Sequence, residues 1–259
     1  RSIKGVPATM LRDQYRSAPD IVDYISNSFY NGRLKIAADL TALKVPHNQK
    51  AGIAWTDVRG TPSFDAGTRN VNKAEAEAIV AHLKDLLIDK KYEGTVGVIA
   101  PFRTQVAELE SQISREINPH FAELADLKVG TVDGFQGQER DLILFSPTVS
   151  RYSPATGITF IQREWRRLNV AISRARAVAH IFGDLDFARS GKIKSLRTLA
   201  ARATEPRQAC GESIFDSEWE RITYHALLSR GLSPKPQYDI AGRRLDFALF
   251  GENGVKLDL

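Results

Sequence analysis

The stretch RRLNVAISRARAVAHIFGD, Arg166–Asp184, carries four arginines within its first eleven residues and then runs into an apolar segment. Apolar residues at helical spacing predict a helix over residues 163–176, and AVAHIFG, residues 177–183, predicts a buried strand. A helix that leads directly into an apolar strand is typical of a parallel sheet covered by helices. The stretch therefore indicates an α/β fold, and it raises the question of what the arginines face.

Strand and helix patterns alternate through the region that precedes this stretch. GTVGVIA (94–100), KVGTV (128–132) and DLILFS (141–146) predict further strands, and helical spacing of apolar residues lies between the first two. Farther upstream, Asn72 followed three residues later by Glu75 is a helix-start signature. Together these patterns predict an α/β domain with a parallel sheet flanked by helices.

The composition of the chain changes after residue 187. Residues 188–211 are polar, basic and rich in small residues, which predicts a linker with at most one short helix. Residues 212–259 then predict a helix followed by two apolar runs around a turn of sequence GENG (251–254), which is typical of a hairpin. We therefore expect one domain over residues 1–187 and a smaller α+β domain over residues 212–259.

Bulk composition narrows the class of protein. The chain has 259 residues, 42% hydrophobic and 26% charged, as in ordinary globular proteins. Its net charge is +5, but the window from Phe160 to Cys210 alone carries eleven Lys and Arg against four Asp and Glu. That local excess is typical of a surface for a polyanion, and a solvated basic face is the alternative. A single cysteine excludes an internal disulfide framework, and the lack of a long apolar run predicts a cytoplasmic protein.

Four segments carry most of the functional information, and each alone also has a structural explanation. Gln14–Arg16 (QYR) is compatible with a helix cap, and GFQGQERD (134–141) with a tight turn. The segment VGVIAPFRTQV (96–106) reads as a strand and the start of a helix. Arginines such as those of RRLNVAISRARA (166–177) usually face water.

In this order, however, the four segments resemble the second, C-terminal RecA-like domain of superfamily 1 helicases. The resemblance is to the branch that contains the nonsense-mediated-decay helicase, and it covers about residues 6–187. It implies a RecA-like parallel sheet, ATP binding and hydrolysis, and translocation or unwinding on single-stranded nucleic acid. The arginines would then face a nucleotide triphosphate, on which charge develops during hydrolysis.

The resemblance implies a role for individual residues at the nucleotide. Arg174 matches the arginine finger, and Arg16 matches a second γ-phosphate contact. Tyr15 matches a ring near the base, and Glu139 matches an acceptor for ribose hydroxyls. The remaining expected members of this site are Gln136 and Gly137, which would form its turn, and Arg176 and Arg167, which would support the arginines or contact phosphates.

A second set of residues is expected to contact nucleic acid. The resemblance implies backbone contacts from Thr131 and from the loop after the first of the strands, with Pro101, Phe102, Arg103 and Gln105. Such contacts follow the sugar-phosphate chain without reading its sequence, so affinity should fall with salt. Core packing is the alternative for Phe102.

The phosphate-cradling loop is absent from the sequence. No Gly-x-x-x-x-Gly-Lys-Ser/Thr motif occurs in the chain, and no acidic pair that would hold Mg²⁺ precedes the first motif. We therefore expect a first RecA-like domain outside this chain to hold Mg²⁺ and most of the ATP, so that the chain supplies half of an ATPase site.

The last fifty residues resemble the opening half of a PD-(D/E)xK nuclease of the very-short-patch-repair group. Metal-dependent cleavage needs carboxylates around Mg²⁺. Asp246, inside an apolar strand, and Glu220 on the preceding helix are the candidate ligands, with Glu218 as the rival of Glu220. The alternative is that Asp246 pairs with a neighbouring arginine. This domain is expected to be truncated.

The nuclease resemblance favours DNA as the substrate. It also leaves a second function open, that of a metal-dependent DNA endonuclease positioned by the helicase domain. A non-enzymatic binding platform is the third possibility, and the predicted γ-phosphate arginines argue against it.

Overall fold

The computed structural model describes residues 13–14, 16–30, 33–36, 43–63, 70–204, 218–229, 234–240, 243–250 and 256–258. The chain divides into two compact units, Arg1–Glu205 and Pro206–Leu259. Tyr15, the expected base contact, lies outside the described residues, so that expectation stays untested.

The first unit alternates strands and helices. In chain order it contains β1 (Asp13–Gln14), α1 (Pro19–Phe29), β2 (Lys35–Ile36), β3 (Gly52–Asp57), α2 (Lys73–Lys84), β4 (Val96–Ala100), α3 (Arg103–Glu116), α4 (Pro119–Leu124), β5 (Lys128–Thr131), β6 (Arg140–Phe145), α5 (Ala155–Arg163), α6 (Trp165–Ile172), β7 (Ala175–Gly183), α7 (Leu185–Arg189) and α8 (Lys194–Thr204). A π-helical turn, Asp85–Asp89, extends α2, and a 3₁₀ turn, Asp133–Phe135, follows β5.

Five of these strands form a parallel sheet in the order β3-β7-β6-β4-β5. Every residue of β4 is buried, as are the apolar residues of β6, because helices cover both faces of the sheet. One apolar cluster packs α1, α6 and α8 on the first face, and a second packs α2 and α3 on the other. The predicted α/β class with a parallel sheet flanked by helices is confirmed.

Helix α8 occupies much of the segment that was expected to be a linker. Ile193, Leu196, Leu199 and Ala200 are buried in the apolar cluster that also contains α1. Arg202 extends this contact, because its Nη2 lies 2.9 Å from Asp23 Oδ2 and 3.4 Å from Asp20 Oδ1. Residues up to 204 therefore pack on the sheet instead of connecting two domains, and the first unit extends beyond residue 187.

The second unit contains helix α9 (Glu218–Ser229) and an antiparallel sheet of β8 (Lys235–Ile240), β9 (Arg243–Phe250) and β10 (Lys256–Asp258), in the order β10-β9-β8. The pairing of Leu257 with Leu249 joins β10 to β9. Across both units, the described helices are too short or too polar for any of them to cross a membrane.

Candidate functional site

The predicted nucleotide contacts Glu139 and Arg174 lie at one edge of the parallel sheet, and the predicted nucleic-acid contact Thr131 lies at the opposite edge. Glu139 directly precedes β6 and Arg174 directly precedes β7, so both lie where strands begin. Thr131 is the last residue of β5, and it pairs with Ala100 at the end of β4. Because a strand rises about 3.3 Å per residue, the six residues of β6 separate the two edges by roughly 20 Å.

Backbone contacts hold Arg16 beside the start of β7. Ser17 Oγ donates to the carbonyl of Ala175 over 2.7 Å, and the amide of Ala18 donates to the carbonyl of Arg176, also over 2.7 Å. Gln14 fixes the turn itself, because its Oε1 accepts from the amides of Arg16 and Ser17. The Gln-Tyr-Arg motif therefore belongs to a turn before α1, and this turn places Arg16 at the edge where β6 and β7 begin.

An ion pair joins Arg16 to Glu139. Arg16 Nε lies 2.6 Å from Glu139 Oε1, and the two side chains are 38% and 34% exposed. Arg16 is therefore held in place but remains accessible, as a side chain that receives a ligand must be. The carboxylate that was expected to bind ribose uses one oxygen for this arginine.

Arg174 belongs to the same cluster. Burial lowers the pKa of its guanidinium, the positive charge of Arg16 lowers that pKa further, and the carboxylate of Glu139 opposes both effects. Its Nε donates to the carbonyl of Val170 over 3.1 Å, and its Nη2 to Ser173 Oγ over 3.1 Å. Arg174 is thus oriented by the end of α6, and it lies near enough to Arg16 and Glu139 for their charges to act on its guanidinium. We call Arg16, Glu139 and Arg174 the arginine cluster.

The turn before Glu139 approaches Arg174. Gly137 has φ +80°, a backbone conformation that glycine adopts without strain. The next carbonyl, of Gln138, accepts from Arg174 Nη1 at 3.5 Å, while Gln136 is exposed. Phe135 anchors the turn in the core: a side chain at Gly97 would lie only 2.8 Å from its ring. Sequence reasoning missed Phe135, although the apolar residue inside the GFQGQE turn was a visible signal.

Two further arginines are engaged elsewhere. Arg176 Nη1 lies 3.4 Å from Asp141 Oδ1, and Asp141 also accepts from the amide and hydroxyl of Thr95. Arg167 pairs with Glu164 at 2.9 Å and with Asp133 at 3.3 Å. These ion pairs, rather than the arginine cluster, are the contacts that the structure shows for both arginines.

At the opposite edge, only some of the residues expected to contact nucleic acid are accessible. Arg103 is exposed at the start of α3, and Thr131 is half-buried, with its Oγ1 accepting from the amide of Gly134. Phe102 is also half-buried, and its ring centroid lies 5.0 Å from that of Phe160. Phe102 therefore packs on the core with one side, as its structural alternative proposed.

Two residues of that prediction are corrected by their burial. Gln105 is 0% exposed, and its amide bonds to Asn72 and Ser146 inside the protein. Pro101 is buried as well, between the end of β4 and the start of α3. Neither side chain is therefore accessible to a nucleic-acid strand, because each is enclosed between neighbouring elements.

In the second unit, the reason for choosing Asp246 as a metal ligand does not hold. Asp246 is exposed on β9, so ionisation of its carboxylate requires no cation. Glu220 Oε2 accepts from Gln237 Nε2 over 2.7 Å. Within the described ranges no group of three or more His, Cys, Asp or Glu side chains is arranged so that it could hold a metal ion. The metal-ligand assignment remains a prediction from resemblance alone.

Comparison with known proteins identifies relatives that match most of the chain. Helicase sen1 of Schizosaccharomyces pombe is 33% identical over 255 residues, which cover 95% of this chain and 13% of the relative. The DNA polymerase alpha-associated DNA helicase A of Saccharomyces cerevisiae is 30% identical over 195 residues, 68% of this chain and 27% of the relative. The Regulator of nonsense transcripts 1 homolog of Arabidopsis thaliana is 30% identical over 192 residues, 70% and 15% of the respective chains.

The chain thus spans about a quarter or less of the length of these relatives. A family model described as an AAA domain matches residues 2–186, the part of the chain that contains the parallel sheet and the arginine cluster. This match covers well over half of the sequence. The chain therefore belongs to the AAA domain family.

Proposed function

We propose that this chain is the second RecA-like domain of an ATP-dependent superfamily 1 helicase, and that it supplies the arginine fingers of the ATPase site. The observation that carries the proposal is the arginine cluster: Arg16 pairs with Glu139 at 2.6 Å, and the charges of both act on Arg174 at the edge where β6 and β7 begin. The similarity to helicases of fungi and plants supports the same function.

The chemistry of the cluster suits the γ-phosphate of ATP. Two guanidiniums and one carboxylate leave a net positive charge, and arginine stays charged even when its pKa falls. During hydrolysis negative charge spreads over the γ-phosphoryl oxygens, and pre-oriented donors stabilise it without having to reorganise. Val170, Ser173 and Gln138 hold the guanidinium of Arg174 in one orientation before any ligand arrives.

The other half of the site must come from elsewhere. We assign the phosphate-cradling loop, and the carboxylates that accompany Mg²⁺, to a first RecA-like domain that faces the arginine cluster. The cluster itself offers the carboxylate of Glu139 between two cations, an arrangement suited to holding arginines and ill suited to holding a metal ion. Mg²⁺ would neutralise phosphate charge from the other domain, and the residues of this chain would complete the pocket.

The opposite edge of the sheet is the proposed contact with single-stranded nucleic acid. Arg103 offers an exposed cation, Thr131 a hydroxyl, and Phe102 the free side of its ring. These groups recognise phosphates and stack on bases of any sequence. The printed names of the relatives mention DNA in one case and transcripts in another. DNA as the substrate is therefore a proposal that rests on the nuclease-like pattern of the tail, and binding has to be measured for both polymers.

A nuclease function is not proposed, because Asp246 is exposed and Glu220 is hydrogen-bonded to Gln237. A mere binding platform is disfavoured by the arginine cluster, since such a protein has no use for paired arginines aimed at a phosphate.

The decisive experiment is ATP hydrolysis by a protein in which this chain is joined to a phosphate-loop domain. Hydrolysis stimulated by single-stranded nucleic acid, lost on Arg174→Ala, supports the proposal. If stimulated hydrolysis survives in that variant at its original rate, the assignment of the arginine fingers is wrong. Parallel titrations with oligothymidylate and oligouridylate then decide between DNA and RNA.

A further inference from the structure

Gln105 connects three elements at the edge of the sheet where β4 and β5 end. It lies in the first turn of α3, two residues beyond Arg103, and is fully buried. Its Oε1 accepts from the amide of Asn72 at 2.8 Å, and its Nε2 donates to the carbonyl of Asn72 at 3.0 Å and to Ser146 Oγ at 3.1 Å. One amide side chain therefore joins the start of α3, the start of α2 and the end of β6.

These bonds replace part of an ordinary capping arrangement. In a capping box, the glutamate at the third helical position bonds back to the amide of the cap residue. Here Gln105 takes the amide of Asn72, and the carboxylate of Glu75 instead accepts from Asn72 Nδ2, Ser146 Oγ and the amide of Thr148. The start of α2 is thus completed by a residue from α3, which couples the positions of the two helices.

The start of α3 depends on this coupling. Among the described residues, no side chain caps α3 at its cap position, Phe102. A helix end without a cap is prone to fray. The side chain of Gln105 anchors the first turn, and Arg103 belongs to that same turn.

We propose that Gln105 is a positioning residue for nucleic-acid binding, which holds Arg103 at the edge of the sheet by anchoring the first turn of α3 to Asn72 and Ser146. This inference rests on the proposed function, in which Arg103 contacts a backbone phosphate. Gln105 itself is uncharged and enclosed, so it acts only through the residue that it holds.

The proposal predicts an effect that loss of packing does not produce. Each phosphate contact to a single strand contributes about 0.7 to the slope of log Kobs against log salt concentration. Arg103→Ala should reduce the magnitude of that slope by about this amount. Gln105→Ala should reduce it similarly, although a neutral buried side chain contacts no phosphate, because Arg103 is no longer held in place.

The experiment measures binding of a short fluorescein-labelled oligothymidylate to the 259-residue chain by fluorescence anisotropy over a series of salt concentrations. Wild type is compared with Gln105→Ala, Arg103→Ala and the double variant. We expect both single variants to weaken binding several-fold and the double variant to match Arg103→Ala, because two changes on one path are not additive. Gln112→Ala is the matched control: this glutamine is also buried in α3, but it bonds to Glu108 of the same helix.

Two results separate the possible failures. If Arg103→Ala leaves both affinity and salt slope unchanged, the proposed nucleic-acid surface is wrong, and the role of Gln105 falls with it. Arg103→Ala can weaken binding and reduce the salt slope while Gln105→Ala leaves the slope unchanged. Alternatively, the losses of binding free energy in the two single variants can add fully in the double variant. Either result overturns only the positioning role of Gln105. Should Gln105→Ala unfold, as judged by circular dichroism, Gln105→Met keeps the length of the side chain without its amide and replaces it in every comparison.

Discussion

Arg16 Nε lies 2.6 Å from Glu139 Oε1, a contact between the turn before α1 and the turn before β6. Gln14 and Phe135 fix these two turns separately, by hydrogen bonds to backbone amides and by burial in the core. The ion pair therefore connects two turns that are already held in place by other contacts. It offsets the repulsion between Arg16 and Arg174 and keeps both guanidiniums together.

The Arg16–Glu139 pair should be measurable in the free chain. Because both side chains are about one-third exposed, solvent screens the pair, and we expect a coupling free energy of about 0.2–1 kcal/mol. A double-mutant cycle of Arg16→Ala and Glu139→Ala in urea unfolding provides this value. The coupling should shrink as the salt concentration rises.

A more exposed pair provides the control for that cycle. Lys84 and Glu116 are 3.2 Å apart and nearly half exposed, so their coupling should be the weaker of the two. Zero coupling between Arg16 and Glu139 at low salt would show that the pair does not form in solution.

Arg174 should be intolerant even of lysine. Its planar guanidinium donates hydrogen bonds in two fixed directions, to the carbonyls of Val170 and Gln138, and a lysine ammonium cannot form both. In the proposed helicase, with a first RecA-like domain joined to this chain, Arg174→Ala should reduce kcat for ATP hydrolysis by about 10³-fold or more, and Arg174→Lys should rescue little of it. Arg189→Ala serves as the control, because Arg189 is exposed at the end of α7 and donates a hydrogen bond to Thr204 at the end of α8. A wild-type kcat in Arg174→Lys would show that the two hydrogen-bond directions of the Arg174 guanidinium are not needed for ATP hydrolysis.

The fold was largely predictable because its central strands are short, continuous apolar runs between helical patterns. One short helix was expected in residues 188–211, but the packing of α8 on the sheet escaped prediction because the apolar residues of α8 are few among basic ones. Yet Ile193, Leu196, Leu199 and Ala200 recur at helical spacing, so the signal was present and was outweighed by the polar composition.

The site was predictable only in part. The motif order grouped Arg16, Glu139 and Arg174, because the resemblance implies a shared ligand, and the structure pairs Arg16 with Glu139. The same resemblance assigned Gln105 to a surface, and it failed there because burial depends on contacts with Asn72 and Ser146. Hydrogen bonds between distant segments leave no periodic pattern in a sequence, so no local rule reveals them.

Leu199→Ala tests whether α8 belongs to the first unit. Leu199 is fully buried in the cluster that also holds α1, so truncation should leave a cavity and lower the free energy of unfolding by about 2–5 kcal/mol. Thr198→Ala on the exposed side of the same helix should change it by less than about 0.5 kcal/mol. Urea unfolding followed by circular dichroism measures both. Equal, small effects would mean that α8 does not pack on the sheet in solution.

Glu75 should make the stability of the chain fall as pH rises. Burial raises the pKa of its carboxyl to about 8, although hydrogen bonds from Ser146, Thr148 and Asn72 act in the opposite direction; the nearby Asp184 raises it further. An unfolded glutamate titrates near pH 4.3, so between about pH 4.3 and 8 the folded chain holds a proton that the unfolded chain has lost. Stability due to Glu75 is therefore full below that window and is lost as pH rises through it.

Glu75→Gln isolates this effect, because glutamine is neutral at every pH and has nearly the same shape. The unfolding free energy of the variant minus that of wild type should rise from pH 5 to pH 8 and level off above, as measured from urea midpoints at each pH. Glu77→Gln, on the exposed face of α2, should show no such rise. A constant difference between Glu75→Gln and wild type across this range would mean that the buried carboxyl is already ionised at pH 5, with the network around Ser146 stabilising its charge.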